Sequence, residues 1–215
     1  MPAKENTISY KTTNTYSTLN TITAQTKNVW IACHGLGYLS KYFTRYFTPL
    51  VKEENYVICP QAPSKYYQGS DFRYVGASWL TKENTVLETE NVLNYLDALY
   101  QNEKSTFAEK RIILMGYSQG VSVVMRWMSK RNIKCDDLVI HSGSIPKELK
   151  STDFDEHRNI NVHLIYGNKD QYINDEKLTN QLNFAKTLFP NQLKVYEFKG
   201  KHEVNSAILK QIAES

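Results

Sequence analysis

Arg111-Ile112-Ile113-Leu114-Met115-Gly116-Tyr117-Ser118-Gln119-Gly120, followed by Val121-Ser122-Val123-Val124-Met125-Arg126-Trp127, reads as a buried strand, a G-x-S-x-G turn and a helix. In that setting a serine is forced onto a sharp corner with its hydroxyl above the sheet edge. Gly116 and Gly120 let strand and helix pass closely, because a Cβ at either position would collide. A helix starting after Ser118 also aims unpaired N–H groups at the corner, where they favour developing negative charge. Ser118 is therefore the candidate nucleophile.

Outward from this corner, strand-like and helix-like segments alternate. Residues 7–12 and 15–23, rich in Thr and Tyr, predict an opening hairpin. Residues 29–33 form an apolar strand ending at His34-Gly35-Leu36-Gly37, and a helix is expected over 40–54. A strand over 56–59 ends at Pro60, and 60–80 reads as a long irregular loop of the kind that is usually functional or disordered. Thr81 opens a helix to about 103, with Val86, Leu87, Leu93, Leu96 and Leu99 as its inward stripe. After the elbow and its helix come a strand over 138–141, a polar segment at 147–160 and a strand over 162–166. Asp175 is expected to cap a helix carrying Leu178, Leu182, Ala185 and Phe189, which Pro190 stops. A strand over 193–198 and a helix over 204–213 complete the pattern. Such alternation implies an α/β domain spanning 1–215, its mostly parallel sheet covered by helices on both faces. Sites in such sheets form beyond the carboxyl ends of the strands, where His34, Ser118, Asp170 and His202 all fall.

A serine needs a base to take its proton, and the base needs a third group to orient it. Five histidines compete. His163 lies within a strand, His157 in a charged and solvated loop, and His141 upstream of any suitable acid. His34 suits structural support of the glycine loop. His202, in a loop after the last strand with Gly200 nearby, is the candidate base. Tyr166-Gly167-Asn168-Lys169-Asp170 sets a carboxylate four residues beyond a strand end, so Asp170 is the candidate orienting acid. The backbone N–H of Gln119 and that of Leu36, in the His34–Gly37 loop, are the expected oxyanion donors.

Bulk properties narrow the class. Of 215 residues, 41% are hydrophobic and 22% charged, and the formal charge of +4 is not gathered into a basic block, so nucleic acid is not an expected partner. No apolar run approaches the roughly 20 residues that span a bilayer, and no secretory signal is visible. Cys33, Cys59 and Cys135, odd in number and widely spaced, fit a reducing compartment, and a cytoplasmic location is expected. No histidine pair has metal-ligand spacing, so no metal is expected.

His34-Gly35-Leu36-Gly37, Pro60-Gln61-Ala62-Pro63, Ser78-Trp79, Gly116-Tyr117-Ser118-Gln119-Gly120, Ser142-Gly143, Gly167-Asn168-Lys169-Asp170 and Lys201-His202-Glu203 occur in that order. Together they resemble the acyl-protein thioesterase, carboxylesterase and lysophospholipase family of α/β hydrolases, from about Val29 to the C-terminus. The resemblance implies an α/β-hydrolase fold with little or no cap, no cofactor, and cleavage of small-molecule or lipid acyl esters or thioesters by a monomer or homodimer. It implies the triad Ser118, Asp170 and His202, with Leu36 and Gln119 at the oxyanion hole. The chain departs from that family at Tyr38, where an acidic residue is usual, at Val121, where a glycine is usual, and at Gln171, where a proline is usual. These departures bear on substrate rather than on chemistry.

Tyr38, Tyr66, Tyr67, Phe72, Trp79 and Ile173 are the expected substrate-pocket residues, since aromatic rings with polar tips can line an apolar pocket and still meet water. Trp79 reads equally as a core anchor. Two rivals stand beside the esterase: another serine hydrolase on the same fold, such as a peptidase or a carbohydrate or polyester esterase, and a non-catalytic binding module.

Overall fold

Short runs of β-branched and aromatic residues, each closed by Gly, Pro or a polar turn, build the sheet. A computed structural model describes residues 2–107 and 109–215. The first half contains β1 (Tyr16–Leu19), β2 (Asn28–Cys33), α1 (Ser40–Phe43), β3 (Asn55–Pro60), β4 (Ser64–Gln68), β5 (Tyr74–Ser78) and α2 (Thr85–Glu103). The second half contains β6 (Arg111–Tyr117), α3 (Gln119–Arg131), β7 (Asp137–His141), β8 (Asn161–Gly167), α4 (Asp175–Leu188), β9 (Leu193–Phe198) and α5 (Ser206–Ala213). Among the described residues, seven strands form one sheet in the order β1-β3-β2-β6-β7-β8-β9, and β4 and β5 form a separate hairpin. Strand β1 runs antiparallel to β3, whereas the other neighbours in the large sheet pair in parallel. This is the α/β-hydrolase architecture that the sequence predicts.

Because strand side chains alternate between faces, β2 feeds two cores. Val29, Ile31 and Cys33 pack with α2, α3 and α4, whereas Trp30 and Ala32 pack with Phe43, Phe47, Leu209 and Ile212 on the other face. Burying each such aliphatic side chain stabilises the fold by about 1.5–3 kcal/mol. Trp127, in the first core, satisfies its indole N–H on Asp97 at 2.8 Å. No helix among the described residues is long and apolar enough to cross a membrane.

Several expected elements differ, each for a local reason. Residues 7–12 form no strand: they are exposed, and β propensity without a packing surface does not fix a strand. β1 instead pairs with β3, Tyr16 opposite Pro60. The helix expected over 40–54 is one α-turn, Ser40–Phe43, followed by a 3₁₀ turn over Thr44–Phe47. Thr48 keeps helical backbone, with φ −63° and ψ −24°, and the helix goes no further because Pro49 has no N–H to donate to the preceding turn. The 60–80 segment is not irregular, since Tyr66, Tyr67, Tyr74 and Val75 make it the β4–β5 hairpin around Gly69, whose φ is +78°. Helix α2 starts at Thr85 rather than Thr81, and Val86 and Leu87 point to solvent while Val92, Leu93, Leu96 and Leu99 face the core. Asn174, not Asp175, caps α4, its side chain accepting the Lys177 N–H at 2.8 Å. His157 is buried, not solvated, and burial lowers its pKa.

Candidate active site

Ser118 is the one residue between β6 and α3, and the chain must reverse there within a single step. Its φ of 53° and ψ of −117° lie where an L side chain is strained. Such strain costs on the order of 1–3 kcal/mol and persists only when the surroundings over-determine it. The surroundings do so here. A Cβ on Gly116 would lie 2.4 Å from the Cα of Val121, and one on Gly120 would lie 2.1 Å from the Cys33 carbonyl oxygen. The Ser118 N–H donates to the His141 carbonyl at 2.9 Å. Strand, elbow and helix are thus locked against β2 and β7.

The loops after β8 and β9 are pressed together by the same means. A Cβ on Gly167 would meet the carbonyl oxygens of Lys201 and Gly200 at 2.5 and 2.6 Å. The Lys169 N–H donates to the Gly200 carbonyl at 2.8 Å. This close approach brings the Asp170 carboxylate against the His202 ring, with Nδ1 donating to Oδ2 at 2.7 Å. The other carboxylate oxygen accepts the Tyr172 N–H at 2.9 Å, and the Asp170 side chain is fully buried. With its proton on Nδ1, the imidazole offers a lone pair at Nε2, and the Ser118 hydroxyl lies 2.9 Å from it. Ser118, Asp170 and His202, separated by up to 84 residues, form one hydrogen-bonded line. The edge of the Tyr172 ring packs on His202 with centroids 4.8 Å apart.

Two further contacts hold the His202 loop and were not visible in the sequence. The Tyr117 hydroxyl donates to the His202 carbonyl at 3.0 Å, anchoring His202 through the residue that precedes the serine. His141 accepts the Asn205 N–H at 3.0 Å from below, and complete burial holds its pKa down to about 3, so it stays neutral.

The glycine loop closes the other side. A Cβ on Gly35 would lie 3.1 Å from the Ser118 Cβ, so this loop packs directly on the serine. His34 supports it as expected: Nδ1 donates to the Gly35 carbonyl at 2.8 Å and Nε2 accepts the Ala62 N–H at 3.2 Å. Burial lowers the His34 pKa to about 4, against the opposing pull of the Gly35 carbonyl. Among the described residues no protein acceptor pairs with the Leu36 N–H or the Gln119 N–H. The Gln119 side chain is committed elsewhere: its oxygen accepts the Trp79 N–H at 2.8 Å and its amide donates to the Leu80 carbonyl at 2.7 Å.

The expected pocket residues divide. Trp79 is 1% exposed, a core anchor whose indole donates to the His34 carbonyl at 2.8 Å. Tyr38 is half-buried beneath the rim, edge-on to Tyr117 and joined to the Tyr46 hydroxyl at 3.2 Å; burial and Tyr46 push its pKa up to about 12. Ile173 packs on the α2–α3 core. Tyr66, Tyr67 and Phe72 lie exposed on the hairpin, the last two edge to face at 5.3 Å. A cavity of about 230 Å³ opens between Trp79, Leu80 and the start of α2, and none of the other five lines it.

The sequence family described as Phospholipase/Carboxylesterase matches residues 14–215. Maize (Zea mays) acyl-protein thioesterase 2 is similar in structure, with a TM-score of 0.71 at 14% identity over 94% of this chain and 97% of that one. A phospholipase/carboxylesterase from Dyadobacter fermentans has a TM-score of 0.68 at 14% identity, covering 96% and 99% of the two chains. A single-residue variant of Arabidopsis thaliana SOBER1 has a TM-score of 0.63 at 18% identity, covering 87% and 96%. No curated protein sequence matches the chain.

Proposed function

This chain belongs to the phospholipase/carboxylesterase family of α/β hydrolases, and from that footing we propose that it is a serine esterase working through an acyl-enzyme. The observation that carries the reading is the line from Asp170 Oδ2 through His202 to the Ser118 hydroxyl, at 2.7 and 2.9 Å. In this reading His202 takes the Ser118 proton as Oγ attacks the substrate carbonyl carbon. The oxyanion that forms accepts from the Leu36 and Gln119 N–H groups, at the mouth of α3 where the helix dipole adds to them. Collapse of the tetrahedral intermediate breaks the bond to the leaving alcohol or thiol, to which His202 returns the proton. Water, deprotonated by the same imidazole, then attacks the acyl carbon and frees Ser118. Asp170 stays ionised, holding the ring in the tautomer that presents Nε2.

The substrate assigned is a small-molecule or lipid acyl ester or thioester, cleaved in the cytoplasm without a cofactor by a single domain acting as monomer or homodimer. The apolar rim supports it: Leu36 and Tyr172 stand exposed beside the serine and the imidazole. Ser118→Ala assayed on a short p-nitrophenyl ester is the test. Turnover should fall by at least about a thousandfold with the fold intact; residual turnover of more than a few per cent, roughly, removes Ser118 from the role of nucleophile.

A further inference from the structure

We propose that Gln68, on the β4–β5 hairpin, is a positioning residue for the Leu36 amide. The proposal rests on the esterase reading above. Gly35 to Tyr38 is a tight turn closed by the Tyr38 N–H on the Gly35 carbonyl at 3.3 Å. Its third residue, Gly37, has φ +83°, a conformation that glycine adopts without strain. A turn of this kind can flip its central peptide, which carries the Leu36 carbonyl and the Gly37 N–H, and such a flip would loosen the loop that holds the Leu36 N–H in place.

Both polar groups of Gly37 are gripped by the hairpin. Its N–H donates to the Ala77 carbonyl of β5 at 2.9 Å. Its carbonyl accepts from the Gln68 side-chain amide of β4 at 2.7 Å. The first bond opposes the flip of the peptide before Gly37, and the second fixes the peptide after it. Two glycines make room for this clamp. A Cβ on Gly37 would lie 2.6 Å from Gln68 Nε2, and one on Gly76 would lie 2.4 Å from the same nitrogen and 2.7 Å from the Gly37 oxygen. Gln68 pairs with Tyr74 and Tyr66 with Gly76, so the pleat turns this face of the hairpin to the loop and leaves Tyr67 and Val75 on the other. Through this face the hairpin is a brace for the oxyanion loop. Gln68 touches no reacting atom, so it acts through the amide geometry, where a displacement of 1 Å costs on the order of a hundredfold in rate.

The experiment compares Gln68→Ala and the near-isosteric Gln68→Glu with the native chain on a short p-nitrophenyl ester. In both variants kcat should fall about tenfold to a hundredfold with KM within about twofold, more in the glutamate variant, which sets a carboxylate against the Gly37 carbonyl. A trifluoromethyl ketone, which becomes an oxyanion on Ser118, should lose affinity by the same factor, and hydrogen exchange at the Gly37 amide should quicken while strand amides of β6 and β7 keep their protection. Native kcat in both variants, a loss confined to KM, or unchanged ketone affinity overturns the proposal. Should Ser118→Ala keep its turnover, the esterase reading fails separately, and unchanged Gly37 exchange in Gln68→Ala would then overturn the clamp on its own.

Discussion

Two histidine–carboxylate pairs sit at opposite ends of the same sheet, with nearly the same bond length. At the carboxyl end, His202 donates to Asp170 at 2.7 Å; at the amino end, His163 meets Asp137 at 2.8 Å. Their surroundings separate them. Asp137 also receives two bonds from Arg111, at 2.6 and 2.8 Å, and the far nitrogen of His163 faces the Tyr196 hydroxyl at 3.2 Å within the sheet. Every valence of that pair is consumed by structure. The far nitrogen of His202 faces a strained serine hydroxyl, in a ring whose side chain keeps 17% of its surface open. A buried His–Asp bond is therefore not in itself a catalytic feature. What the second nitrogen meets, and whether substrate can reach it, decides the role.

Substitutions can break this contrast. Asp170→Asn leaves the acid's shape but removes the charge that fixes the ring, and kcat should fall by about 10⁴ with little change in stability. A fully active variant would assign the acid elsewhere. Asp137→Asn should do the reverse. Removing one partner of a buried ion pair costs about 3–5 kcal/mol, so its urea midpoint should drop sharply while kcat per folded molecule stays within about threefold. Asp137→Asn with native stability, or with a collapse in kcat, would dissolve the distinction between the two ends.

Acidity sharpens the contrast with a smaller effect. His34 and His141 have folded pKa values of about 4 and about 3, below the ordinary 6.5, because both are buried. Above 6.5 neither carries a proton in either state, so their neutral packing is fully present. As pH falls below 6.5 only the unfolded chain takes up the proton, and stability should drain away by up to about 1.4 kcal/mol per pH unit for each histidine. Asp137 has an opposite window. Burial raises its pKa, but the bonds from His163 and Arg111 outweigh burial and hold it below the ordinary 3.8. Its contribution is present above that value and is lost only as pH falls through the folded pKa. Urea midpoints from pH 7.5 to 5 should therefore decline through the loop-supporting His34 and His141, together with His157, whose pKa burial also lowers. A flat profile over that range would contradict the burial of His34 and His141 as neutral rings.

Much of this was legible in the sequence, and for a common reason. Ser118, Asp170 and His202 each follow the carboxyl end of a strand, and strand ends are marked by local pattern: apolar run, then glycine or a polar turn. Parallel topology does the rest, by gathering those ends on one rim. Features that depend on contacts between distant segments were hidden. Gln68 shows nothing in its neighbourhood that points to Gly37, 31 residues earlier. His157 sits among charged residues, yet a 3₁₀ turn over Ser151–His157 folds it inward beside Phe154. Trp79 reads as pocket wall or core with equal ease, and in the fold it is both buried in the core and on the wall of the cavity beside Leu80. The hairpin itself was obscured by Pro60, Pro63 and Gly69, whose turn signals outweighed a modest run of tyrosines.

The most direct measurement of the central claim is peptide mapping after reaction with a fluorophosphonate, run on the native chain and on His202→Ala. The account predicts one phosphonyl adduct, on Ser118, formed in the native chain and slowed by orders of magnitude when the imidazole is removed. An adduct on another residue, or equal labelling of Ser118 without His202, would contradict it.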